Sequence, residues 1–177
     1  MSYDAFTIAA TMPVALTPEQ TQKRIKSILA PEINELLIYM ETGDREPLSN
    51  FMEQLLNGAL CHLDGEDPED DTFEQVERTL SEYYEICDGP EPNSCRINFA
   101  GNTESDDASF TDVPELLVEQ FLPLLDKDYV FISYVNLNSR CGGTGGSYLY
   151  SKQGEVIQDT ALADHYSAAH VMRPSPR

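Results

Sequence analysis

The chain has 177 residues, enough for one domain with a substantial core, and its 31 acidic against 11 basic residues give a formal net charge of −20 at pH 7. A surface of that sign repels nucleic acid and anionic lipid, which excludes direct phosphate binding as a main activity. No apolar run reaches the roughly 18 residues of a membrane span, and the opening stretch MSYDAFTIAATMPVALTPEQ has no basic segment and carries Asp4 early, against a secretory signal; the expected location is cytoplasmic.

The acid is concentrated. Residues 1–63 carry net −4, residues 64–128 net −17, and residues 129–177 net +1. Adaptation to high salt would acidify the whole surface, so the nearly neutral last third argues for a property of the middle segment alone.

Thr17-Pro18-Glu19-Gln20 predicts a helix start, with Thr17 as N-cap, Pro18 where no amide hydrogen is needed, and Gln20 completing a capping box. Ile25, Ile28 and Leu29 give an apolar stripe, Pro31 predicts a restart or kink, and Ile33, Leu36, Leu37 and Met40 continue the spacing to a stop at Gly43. Leu48, Phe51, Met52, Leu55 and Ala59 predict a second helix over 47–61.

The stretch DGEDPEDDTFEQ then packs six carboxylates into residues 64–71. Thr72 and Gln75 repeat the capping signature and predict a helix lasting to about Cys87. On that helix Phe73, Val76, Leu80, Tyr83, Tyr84 and Cys87 share an arc of about 100°, while Glu74, Glu77, Glu82 and Glu85 share an arc of about 140° opposite.

A turn over 88–94 leads to CRINFA, whose alternating Cys95, Ile97 and Phe99 predict a strand. After a polar loop over 101–111, Asp112 caps a further helix with Pro114 and Glu115 in its first turn and Leu116, Leu117, Phe121, Leu122, Leu124 and Leu125 to bury. Residues 128–138 read as the clearest strand, and SYLYSKQGEVI as strand, turn and strand, with Gly154 supplying a positive φ. The expected class is α+β: an N-terminal helical layer (about 17–87) packed on a small, mainly antiparallel sheet of three to four strands (about 95–158), in one domain over 1–171, with 172–177 as a disordered tail.

Several motifs that suggest chemistry fail on inspection. The glycine loop NSRCGGTGG, residues 138–146, has no Lys-Ser or Lys-Thr and precedes a strand, so it reads as a wide hairpin connection and not as a phosphate cradle. An enzyme would draw on Cys141 in that loop as nucleophile, His165 or His170 as base and Asp164 as orienter, making a cysteine-dependent hydrolase or transferase. An EF-hand starting at Asp64 puts Pro68 at position 5 and Glu69 where glycine is required, and starts at Asp106 or Asp107 do no better. His165 and His170 diverge on a helix, and Cys61-His62 lacks partners for zinc. The four cysteines form no C-x-x-C pair, and a Cys87–Cys95 bridge is disfavoured in a reducing compartment. The sequence thus implies no cofactor, no metal and no catalytic residue.

What remains is the acid. Duplex DNA carries about one charge per 1.7 Å of axis. The predicted helix alone offers roughly one net charge per 5 Å, but the whole middle segment spread over one side of a domain about 40 Å across reaches about one per 2.4 Å. In charge habit the chain resembles the DNA-mimic inhibitors that phages and plasmids deploy against restriction and CRISPR nucleases. That resemblance implies a non-enzymatic inhibitor whose partner is a basic protein, a nuclease or other nucleic-acid-binding protein, engaged without nucleic acid or membrane. The residues expected at the contact are Asp64, Glu66, Asp67, Glu69, Asp70, Asp71, Glu74, Glu77, Glu82 and Glu85. An immunity or antitoxin-like protein neutralising a basic toxin would use the same face.

Overall fold

The computed structural model describes residues 4–105, 113–126, 129–136, 144–153 and 155–157. Its first strand, β1 (Asp4–Val14), is the centre of the sheet. Ala10, Met12 and Val14 are buried while Thr11 and Pro13 between them are half-exposed, the period of two of a strand with one face on a core. β1 pairs antiparallel with β3 (Cys95–Ser105) on one side and with β4 (Tyr129–Asn136) on the other. β2 (Tyr84–Asp88), β5 (Thr144–Ser151) and β6 (Val156–Ile157) complete a six-stranded antiparallel sheet in the order β2-β3-β1-β4-β5-β6.

The α+β class and the antiparallel sheet are as expected, but the sheet is wider because β1 and β2 join it. Helices and strands therefore interleave along the chain, with β1 before the first helix and β2 inside the region expected to be helical.

Helix α1 (Pro18–Thr42) is about 37 Å long. Thr17 and Gln20 form the expected capping box, and Gly43 ends the helix at φ 71° with its amide donating to the Tyr39 carbonyl. Pro31 is exposed inside it and does not divide the helix. α2 (Asn50–Leu56) is shorter than predicted: Ser49 caps it by accepting the Met52 amide at 3.2 Å, and Asn57-Gly58 stops it before a 3-10 turn at Cys61–Leu63. α3 (Thr72–Ser81) and α4 (Val113–Phe121) finish the helical layer, α4 continuing into a 3-10 turn at Leu122–Leu124.

The helices cover one sheet face. Ile25, Leu29, Ile33 and Leu36 of α1, Val76 and Leu80 of α3, and Leu117 and Phe121 of α4 meet Met12, Ile97 and Phe99 in one core. Tyr84 and Phe99 both stack near Phe121, at 5.4 and 5.9 Å between ring centroids. On β1, β2 and β3 the other face is polar: Thr11 donates to Asn98 (3.1 Å), Asn98 donates to the Cys87 sulfur (3.4 Å), and Arg96 is exposed. Cys87 and Cys95 are free thiols on opposite faces, since Cys95 is buried beside Thr21.

Candidate partner-binding surface

The acidic segment is held at both ends and open between them. At its start Leu63 is buried, and Asp64 is gripped from α1 and the turn that follows: the Tyr39 hydroxyl donates to Asp64, and Arg45 Nη2 lies 2.9 Å from each carboxylate oxygen. The Arg45 guanidinium also sits 5.4 Å from the centroid of the Tyr39 ring, a cation–π contact that closes the triad. The Tyr39 hydrogen bond first, and Arg45 second, hold the Asp64 carboxyl below the usual carboxylate range. Gly65, at φ 82°, then turns the chain outward.

At the far end Thr72 is 3% exposed and its hydroxyl accepts the Glu69 amide at 2.8 Å. Thr72 is therefore not the N-cap that the sequence suggests. That position is Asp71, whose carboxylate takes the Gln75 side-chain amide at 2.8 Å and leaves the helix amides uncapped by a side chain. The hydroxyl has been drawn inward to tie the loop. Glu66, Asp67, Glu69 and Asp70 stand exposed between these two anchors.

The predicted acidic arc does not survive as one helix face. α3 stops at Ser81, where Glu82 caps it, and the Tyr83 carbonyl already accepts the Ala100 amide of β3 at 3.0 Å. Tyr84 and Ile86 of β2 pack against the core, so Glu85 between them stands on the opposite face of the sheet from α3. Glu77 is half-buried and reaches Lys26 of α1 at 3.5 Å.

Of the ten acids, Asp64 and Glu77 are thus engaged internally, and among the described residues the other eight make no ion pair. Nine of the ten are exposed. Asp88 and Glu91, exposed around the turn between β2 and β3, lengthen the acidic edge; the run DGPEP carries that signal beneath its turn propensity. Residues 64–91 then hold twelve acids and a single base, Arg78.

No group of three or more His, Cys, Asp or Glu among the described residues could hold a metal. The Cys87 thiol is pushed up by burial and by Glu85, the reverse of an activated nucleophile. Cys141, Asp164, His165 and His170, like Asp106, Asp107, Gly154 and the tail 172–177, lie outside the described residues. Among the described residues no helix is long and apolar enough to cross a membrane. Compared with known proteins, the chain matches no family model, no curated protein and no solved structure.

Proposed function

We propose that the protein is a non-enzymatic inhibitor that lays its acidic segment into a basic, nucleic-acid-binding surface of a partner protein. One observation carries this reading: between the two anchors at Asp64 and Thr72, Glu66, Asp67, Glu69 and Asp70 stand exposed without an ion pair among the described residues. An acid-rich loop that served only solubility would not need pinning at both ends. A pinned one presents its charges in a fixed row.

The spacing supports one strand of phosphates better than a duplex. Fully extended, residues 66–71 span at most about 20 Å, so their five carboxylates, which exclude the paired Asp64, stand at about one per 4 Å or closer, near the one per 3.4 Å of a single nucleic-acid strand. Glu74 on α3 and Glu82 at its end add further exposed charge, whereas Glu85 stands on the other sheet face. Such attraction chiefly accelerates encounter and weakens with salt.

The test is competition. Proteins captured from the source cell by the immobilised chain should be released by added single-stranded DNA, and a variant with Glu66, Asp67, Glu69 and Asp70 changed to Lys should capture none of them. Equal recovery by the reversed variant, or partners that DNA does not displace, would overturn the reading. A basic toxin would be bound by the same chemistry and appear in the same capture.

A further inference from the structure

A groove of about 470 Å³ lies between the first half of α1 and the segment that follows α4, within the size range of small-molecule sites. Leu16, Ile28 and Leu124 line it; each packs against the core yet remains only partly buried, so the groove has an apolar wall. Arg24 and Lys152 line it too, both exposed, and among the described residues neither side chain has an ion pair or hydrogen bond. The third charged residue there, Asp126, has an interaction of its own, and its amide donates to the Pro13 carbonyl at 2.9 Å, fixing this wall to the end of β1.

The charge here is inverted relative to the rest of the molecule. In a chain with 31 acids and 11 bases, the lining carries two cations and one anion. We propose that the groove binds a small amphipathic carboxylate, its alkyl chain on Leu16, Ile28 and Leu124 and its head group on Arg24 and Lys152. The apolar wall selects hydrocarbon because covering it removes surface from water. The cations select the anion, and a guanidinium in particular matches a carboxylate with two parallel N–H donors. This site is at the opposite end of α1 from the Asp64 anchor and does not depend on the acidic segment.

Octanoate is the probe, titrated into the full chain and followed by calorimetry and by methyl chemical shifts. Octanoate should bind saturably, with shifts at Ile28 and Leu124, and octylamine and acetate should each bind at least tenfold more weakly. Arg24→Gln with Lys152→Gln should weaken octanoate at least tenfold with an unchanged thermal melt, since both side chains are exposed. Asp126→Asn should bind octanoate at least as tightly as the parent. Octylamine or acetate binding as tightly as octanoate, full affinity in the double variant, or shifts confined to other methyl groups would each overturn the proposal.

Discussion

Arg45 Nη2 stands 2.9 Å from both carboxylate oxygens of Asp64, so one guanidinium nitrogen ties the start of the acidic segment to the turn that follows α1. The residue that begins the charged run is therefore also its anchor. With the Tyr39 hydroxyl on the same carboxylate, the geometry makes Asp64 a positioning residue for the acids that follow.

This anchor has a pH signature. The folded-state pKa of Asp64 is depressed by Tyr39 first and Arg45 second, so the folded form binds fewer protons there than the unfolded one. Its stabilising contribution is complete above the ordinary Asp value of about 3.9 and is lost as pH falls through the lower folded value. Following the carboxyl carbon of Asp64 by NMR should show a midpoint that rises toward about 3.9 in Arg45→Gln and rises further in Tyr39→Phe. A midpoint unmoved by both substitutions would remove the anchor from the account.

Gly89 should be less replaceable than Gly43, although only Gly43 has a positive φ. A Cβ on Gly89 would collide with the Ser94 hydroxyl and fall 2.6 Å from the Ser94 carbonyl carbon and 2.8 Å from the Cys95 nitrogen, so the turn joining β2 to β3 would have to open. Gly43→Ala meets nothing within 4 Å and costs only the left-handed backbone, about 1–2 kcal/mol. Gly89→Ala is expected to cost about 3 kcal/mol, the upper end of the range for overpacking, because two of the atoms met are backbone. Urea unfolding of the two variants ranks them directly.

Phe121→Ala should be among the most damaging truncations in the core, at about 3–5 kcal/mol, because it removes the ring on which both Tyr84 and Phe99 rest. Ile38, 49% exposed on α1, supplies the control: Ile38→Ala should stay within about 0.5 kcal/mol of the parent. Similar losses for the two in thermal melts would contradict the location of the core.

Self-repulsion within the acidic segment should make the fold salt-dependent. Raising ionic strength from about 0.01 to about 0.1 M shortens the screening length from about 30 to about 10 Å, and the melting temperature should rise with it. The variant with Glu66, Asp67, Glu69 and Asp70 changed to Lys should show a smaller rise. An equal rise in both proteins would mean that the exposed acids of this loop do not contribute to the repulsion.

Some of this was legible in the residues. Thr17 with Gln20 and Gly43 are local devices whose partners lie within four positions, and α1 starts and stops where they stand. Cys95, Ile97 and Phe99 alternate as a buried strand face should. β1 carried a comparable signal in Ala10, Met12 and Val14, but alanine and threonine weaken the contrast, and its place at the sheet centre depends on pairing with residues more than eighty positions away. Residues 82–87 mislead for a related reason. Tyr83, Tyr84 and Cys87 continue the helical spacing of Phe73, Val76 and Leu80, and only the ladder with β3 draws Tyr84–Asp88 out as a strand.

By itself, the sequence determined where the charge lies along the chain, where α1 starts and stops, and that the fold is α+β, because each of these rests on neighbours in the chain. The tertiary structure decided that α3 ends at Ser81, that Glu85 stands on the other sheet face, and that Asp64 and Glu77 are held by Arg45 and Lys26. These features depend on which distant segments meet. Backbone hydrogen bonds across a sheet and ion pairs between helices and loops are satisfied by whatever folding brings near, and no short window of residues encodes that proximity.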